Sequence, residues 1–328
     1  VGQGLQLPLP MVAGAIVSGA YFGDKLSPLS DTTNLAPAVA GAELFEHIRH
    51  MLFTTVPSLL IALVLYGILG LGLKGESASL EEVELLSSSL QSLFNLSPLL
   101  LLAPFAVLVL IMIRVPALPA LLGGGFVGAI LGIFLQGISV ADMVNIMQSG
   151  FVSETGTAQV DELLSRGGLD DMMWTVSLVL CAMAFGGLLE GTGMLGTISM
   201  SVLKLASSTG RLVLTTVLTC IGMNVVAPDQ YLSVIVPGRM YKDAFKESGL
   251  AAKNLSRCLE DAGTLTSPLI PWNTCGATMM IALGVSPFAY LPYAFLNLIN
   301  PVISIIYGFT GWTMTKMETP AEQDQKES

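Results

Sequence analysis

Two carboxylates, Asp24 and Asp31, stand seven residues apart in the stretch GDKLSPLSDTTN at residues 23–34, and Asp31 has Ser30, Thr32, Thr33 and Asn34 as neighbours. Carboxylate, hydroxyl, amide and carbonyl oxygens are what a hard cation such as Na+ accepts in place of its hydration shell. Asp31 is therefore the first candidate for a Na+ site, with Thr33 and Asn34 as neutral ligands and Asp24 as a second carboxylate. Two structural readings compete: Lys25 could neutralise Asp24 as an ion pair, and Asp31 or Thr33 could cap the helix that follows. Capping and binding can coexist.

A weaker copy, GTLTSPLIPWNT, occupies residues 263–274, with Gly, Ser-Pro-Leu and an Asn or Thr pair at a constant offset of 240 residues. Ser27 and Ser267 are the matched serines, and Asn273 and Thr274 match Thr33 and Asn34. This copy brings no charge, because Thr264 stands where Asp24 would be and Pro271 where Asp31 would be. The expected site is acidic in one repeat and neutral in the other. Further polar groups interrupt apolar runs: Asn224 and Asp229 in MNVVAPDQY, Glu190 before Gly-Thr-Gly, and Glu260 and Asp261 ahead of the second motif. A carboxylate at membrane depth is costly and by default functional. For Glu260 and Asp261, with Arg257 close by in sequence, a cytoplasmic interfacial place weighs more than the midplane.

Little else carries chemistry. Cys181, Cys220, Cys258 and Cys275 show no metal-ligand spacing, and Cys181 and Cys220 sit in apolar runs where Cys acts as a small hydrophobe. His47 and His50 flank Arg49 where a helix enters the membrane and are expected at the interface. No Ser/His/Asp, HExxH or phosphate-loop pattern occurs, so neither an enzyme nor a cofactor is expected.

The elements that must position these residues are membrane helices. Mean hydropathy is +0.72, 52% of residues are hydrophobic and 12% are charged, about half the charged share of a soluble domain. Apolar runs long enough to cross a bilayer, about 20 residues, lie at 51–73, 97–113, 117–135 and 288–314. Others at 8–22, 174–205, 211–237 and 264–285 are interrupted by Gly, Pro or acidic residues. In lipid, backbone groups freed at such breaks need protein, water or a bound solute as partners. Two matched breaks are the mark of a duplicated transporter whose broken helices meet near the midplane.

The net charge of −10 is unevenly spread. Residues 74–97 (Glu76, Glu81, Glu82, Glu84) and 136–171 (Asp142, Glu154, Asp161, Glu162, Asp170, Asp171) are acidic connections. Arg114, Lys204, Arg211, the stretch 239–257 and Lys316 lie at the opposite ends of the spans. Lys and Arg stay cytoplasmic, which places the acidic loops outside, the tail after Lys316 inside, and the two broken elements in inverted orientation. Both ends of 211–237 then fall inside, so either this segment is a re-entrant hairpin turning at Pro228 and Asp229, or 174–205 is one turning at residues 190–193. The second broken element is preceded by the whole stretch from residue 97, the first by only a few residues, and the chain opens at Val1. A fragment lacking most of its N-terminal half is expected: 1–96 as the remainder of one repeat (broken helix 8–43, span 47–73, acidic external loop), 97–317 as the inverted second repeat, and 318–328 as a disordered cytoplasmic tail.

The segments SGAYFGDKLSPLSDTTNLAP (18–37), FGGLLEGTGML (185–195), APDQYLSVIVPGRMY (227–241) and LEDAGTLTSPLIPWNTCGA (259–277) resemble the signature segments of NhaC-type Na+/H+ antiporters. That family includes malate/lactate antiporters and belongs to a large ion-transporter superfamily, whose sodium/dicarboxylate members carry a Ser-Asn-Thr motif in each half. Asp-Thr-Thr-Asn at 31–34 and Trp-Asn-Thr at 272–274 occupy comparable places without copying it. The resemblance implies an all-α polytopic inverted-repeat protein of a prokaryotic cytoplasmic membrane, working in pH homeostasis. Together with the residues it points to exchange of Na+ for H+ through one carboxylate site, built on Asp31 with Asp24 or Asp229, with Asn34, Thr33, Asn273 and Thr274 as neutral ligands. Ser27, Ser267, Glu190, Asn224 and Asp261 form an outer circle of candidates. Na+/H+-coupled exchange of organic acids, malate against lactate, is the alternative in the same class, and an ion channel the alternative from another. Expected partners are lipid, Na+, H+, small organic acids in the alternative reading, and a second copy of the chain, since homodimers are common among such carriers; nucleic acid is not expected.

Overall fold

A computed structural model describes residues 7–28, 30–72, 88, 91, 94–113, 115, 117–153, 161, 164–165, 167–194, 208–227 and 229–317. The acidic stretch around Glu76, Glu81, Glu82 and Glu84, with Glu154, Glu162, Lys204, Arg114, Pro228 and the tail from Glu318, lies outside these, as does the side chain of Glu190. The described residues form helices joined by short breaks, with one isolated antiparallel bridge between Leu250 and Lys316. Among the described residues, three helices are long and apolar enough to cross a membrane, Leu44–Gly72, Pro119–Gln136 and Thr209–Val226, and a pair bent by 85°, Thr274–Leu283 with Pro287–Tyr293, makes a fourth if counted as one span.

The chain divides into two compact units. The smaller one spans residues 75–174 and holds a 3-10 turn at Pro98–Leu101 followed by α4 (Leu102–Met112), α5 (Ala117–Gln136) and α6 (Val140–Ser149). Ser139 caps α6 by accepting from the Asp142 amide at 3.1 Å, and Gly124 lets α4 and α5 pack closely.

The remaining helices described below belong to the larger unit, save that α7 (Leu169–Gly191) runs across the division at Trp174. The first broken element is α1 (Leu9–Lys25), a break between Lys25 and Asp31, and α2 (Asp31–Ala40). Pro8 and Pro10 start α1, where a missing amide hydrogen costs nothing. At the end of α2, Gly41 takes a left-handed conformation (φ 85°) and returns its amide to Pro37. There follows α3 (Leu44–Gly72).

α8 (Thr209–Val226) and α9 (Gln230–Glu247) meet at the break around Ala227 and Asp229. The hydroxyls of Thr219 and Tyr241 lie 2.8 Å apart, whereas a straight helix would separate them by roughly 33 Å. The segment thus turns back on itself. Leu212, Val213, Val217 and Cys220 of α8 pack with Tyr241 and Phe245 of α9 in the main apolar core.

The second broken element begins with α10 (Ala252–Leu259), loosens into a π-helical turn at Glu260–Thr264, tightens to a 3-10 turn at Ser267–Leu269, and restarts as α11 (Thr274–Leu283). Both copies of the sequence motif thus fall on breaks between helical pieces. The apolar run expected as one span at 288–314 is interrupted: α12 (Pro287–Tyr290) passes into a 3-10 turn at Leu291–Tyr293 before α13 (Phe295–Thr310). Pro292 has no amide hydrogen to continue the helix ladder, which is the local reason for the interruption.

Candidate functional site

Three half-helices start next to one another in the larger unit, each capped by a polar residue of a break. Ser30 accepts from the Thr33 amide at the start of α2, Asp229 from the Tyr231 amide at 2.6 Å at the start of α9, and Asn273 from the Cys275 amide at 3.1 Å at the start of α11. The capping role belongs to Ser30 and not to Asp31 or Thr33. Asp31 occupies the first turn of α2, where a negative charge complements the helix dipole. It accepts the Thr32 amide at 2.8 Å and the Tyr231 hydroxyl, which ties the first break to the second. Asp24, at the end of α1, faces Ser30 and Asp31. Gln230 receives the Ser267 hydroxyl at 2.8 Å and the Cys275 thiol at 2.7 Å, joining α9 to the third break.

The amide side chains serve the backbone of the breaks. Asn34 donates to the carbonyls of Pro28 (2.8 Å) and Ser30 (2.6 Å), and Thr33 to those of Asp24 and Lys25. Ser27 carries a backbone turn, donating its amide to Asp24 and accepting from that of Ser30. Asn224 donates to the Gly263 carbonyl (2.7 Å) and the Thr266 hydroxyl (2.9 Å) and receives Asn273 at 3.1 Å. Thr274 donates weakly to Asn273 at 3.5 Å. These groups satisfy carbonyls and amides that a break leaves exposed, which is what membrane depth demands.

A second, fully buried polar cluster lies where α1, α2, α3, α10 and α13 pack around the π-helical turn. Lys25 forms an ion pair with Asp261 and donates to Asn300 at 3.0 Å. Thr54 donates to the same Asp261 oxygen at 3.0 Å, and Arg257 Nε stands 4.0 Å from the other. Thr32 donates to Glu260 at 3.1 Å. The cation that sequence neighbourhood offered to Asp24 is therefore taken by a carboxylate 236 residues away. Glu260 and Asp261 are wholly enclosed by protein. His47 and His50 are also buried, on α3 against α10, with His47 Nδ1 2.8 Å from the Ser256 hydroxyl. Thr32, Thr54, Arg257, Glu260 and Asn300 carried no site assignment from sequence. Their signal was faint: single polar residues scattered over separate stretches of the sequence.

The model of the Na+/H+ antiporter family matches residues 19–312 of this chain. The chain belongs to the Na+/H+ antiporter family. Among curated relatives, the Na+/H+ antiporter NhaC of Alkalihalophilus pseudofirmus is 42% identical over 98% of this chain and 70% of its own length. The arginine/ornithine antiporter ArcD of Halobacterium salinarum is 40% identical over 99% of the chain and 67% of its own, and the malate-2H+/Na+-lactate antiporter of Bacillus subtilis 37% over 95% and 66%. No solved structure matches. The NhaC-type resemblance of the signature segments is thus borne out, and the chain is an all-α membrane protein of an antiporter family. In this Na+/H+ antiporter family member the residues expected at the site, apart from Glu190, whose side chain lies outside the described residues, fall into two groups. Asp24, Asp31, Thr33, Asn34, Asp229, Asn273, Thr274, Ser27, Ser267 and Asn224 gather around the three breaks, while Asp261 sits in the buried cluster.

Proposed function

We propose that the protein exchanges Na+ for H+ across a prokaryotic cytoplasmic membrane as a multi-pass secondary transporter, not as an enzyme, with Asp31 as the carboxylate that the two ions share. The observation that supports this most is the meeting of Asp24 and Asp31 at the first helix break with Asp229 at the second, with Tyr231 bridging Asp31 to the α9 start. A break leaves carbonyl oxygens free to coordinate a cation, and a carboxylate can hold either Na+ or a proton but not both. Thr33, Asn34, Asn273 and Thr274 hold the break backbone in shape around it. The two broken elements are taken as inverted relative to one another, as the charge distribution implies.

The test is proton movement in vesicles holding the full-length protein and a trapped pH dye, on addition of Na+, with and without malate and lactate. Na+-driven proton flux without organic acid supports the cation antiporter. In the same assay Asp31→Asn should lower the flux about tenfold or more, the order expected for losing a charged ligand. Unchanged exchange in Asp31→Asn removes Asp31 from the role.

A second reading is favoured by the same three helix starts. Their partial positive charge suits the carboxylate of an organic substrate, and the relatives named for malate/lactate and arginine/ornithine exchange match about as well as the cation antiporters. Proton flux appearing only when organic substrates are present on both sides would establish it.

A further inference from the structure

We propose that Glu260, together with the hydroxyls of Thr32 and Thr264, forms a second monovalent-cation site, separate from Asp31, at which a proton and Na+ replace one another. The inference rests on the Na+/H+ reading for the identity of the ions, and on local geometry for the site.

Glu260 is wholly buried, and only one of its two oxygens is engaged, by Thr32 at 3.1 Å. Thr264 lies across from the carboxylate on the same π-helical turn, yet neither its hydroxyl nor Glu260 Oε2 makes a hydrogen bond of acceptable geometry among the described residues. A π-helical turn interrupts the regular ladder and is frequent at functional positions. The surrounding charges do not neutralise Glu260. Lys25 of α1 is near enough to attract it, but directs its hydrogen bonds to Asp261 and Asn300; Arg257 of α10 lies toward Asp261 and donates to the Thr313 hydroxyl at 2.8 Å. Asp24 of α1 adds a repelling charge. From the other packed elements come neutral groups, Asn224 of α8, Ser233 of α9 and Asn297 of α13, which bond to the backbone of Gly263 and Leu265.

Lys25 and Asp261 therefore balance each other, Arg257 stands beside them, and Glu260 is left as a buried carboxylate without a contacting cation. Such a group is tolerated only if it is neutral or if a cation joins it. A proton on Oε2 fulfils the first condition and can be donated to the Thr264 hydroxyl. Na+ fulfils the second, with Glu260 Oε2 and the Thr264 and Thr32 hydroxyls as hard oxygen ligands. The one bond that breaks is the O–H of the protonated Glu260 carboxyl: its proton leaves to water, and the carboxylate so formed takes one Na+ in its place.

Difference infrared spectroscopy on the full-length protein in lipid reads this without requiring transport. The expected result is a protonated-carboxyl stretch that disappears in Glu260→Gln and shrinks when NaCl is added at constant pH, with an equal concentration of choline chloride as the control. Asp31→Asn should retain this band. Thr32→Val, which removes the hydroxyl while keeping the shape, should raise the Na+ concentration needed for half-loss of the band about tenfold, and Thr32→Ser should restore it. A band that persists in Glu260→Gln overturns the assignment, and one that belongs to Glu260 but ignores Na+ reduces the residue to a neutral structural acid. Should Glu260→Gln not fold, the Thr32 pair decides: equal Na+ response in Thr32→Val and wild type also overturns it. Absence of Na+-driven flux in vesicles, with the infrared response intact, would count against the antiport reading and not against this site.

Discussion

Lys25 and Asp261 show how much a single buried residue can commit a chain to one arrangement. Asp261 accepts from Lys25 and Thr54 and stands 4.0 Å from Arg257, so it faces two cations, whereas Lys25 faces one carboxylate. Breaking a buried ion pair by removing one partner costs about 3–5 kcal/mol, because the remaining charge is stranded. Asp261→Asn strands two cations and Lys25→Met leaves Asp261 with Arg257 nearby, so the first should lower thermal stability in detergent more than the second. The double substitution should cost less than the sum of the two; strict additivity would mean that the pair does not interact. Sequence alone disclosed part of this. The oxygen-rich run after Asp31 was readable because its members are adjacent, and the carboxylates beside breaks were readable because charge in an apolar run is conspicuous. The partner of Lys25 was not, since adjacency favoured Asp24 and only the packing of α1 against the π-helical turn brings Asp261 to it. Likewise Ser30 took the cap that the competing reading gave to Asp31 or Thr33, a choice made by one residue's backbone turning extended at the break.

At the scale of elements, the breaks are held by close backbone approaches as much as by side chains. A methyl group on Gly276, in the first turn of α11, would lie 2.0 Å from the carbonyl oxygen of Ile270, and that backbone belongs to the turn itself. Gly222, inside α8, has nothing within 4 Å of the same position. Gly276→Ala should therefore destabilise the protein by about 1–3 kcal/mol, the usual cost of overpacking. Gly222→Ala should be neutral or stabilising by up to about 1 kcal/mol through helix propensity. Thermal unfolding of the two variants side by side checks this, and equal midpoints would show that the third break yields readily. The existence of both broken elements was legible from the repeated Gly and Ser-Pro-Leu pattern, whereas the turn at Asp229 was one of two alternatives that the charge pattern left open. What the pattern could not reveal was how differently the two copies break: backbone turns at Ser27 and Ser30 after α1, but a π turn and a 3-10 turn before α11. Pro292, in an apolar run otherwise suited to one span, was the overlooked breaker.

For the whole molecule, the distribution of basic residues makes an orientation testable. Leu250 pairs with Lys316, and the Lys253 ammonium lies 3.5 Å from Glu46, so the end of α9, the start of α10, the start of α3 and the last described residues share one end of the larger unit. If that end is cytoplasmic, a cysteine placed at Lys246 or Lys316 should react with an impermeant maleimide in inside-out vesicles and stay unlabelled in intact cells. The native cysteines complicate this little, since Cys220 and Cys258 are buried; Cys181 and Cys275 would be replaced by Ser and Ala. Labelling from outside would reverse the assigned topology. One side chain of that unit has a consequence of another kind. Trp272 donates its indole nitrogen to the Val225 carbonyl at 2.8 Å, joining the break before α11 to the last turn of α8. With Trp174 and Trp312 changed to Phe, it becomes the sole indole of the chain, and the colour of its emission becomes an optical gauge, native to the protein, of whether those two breaks stay in register as cargo comes and goes.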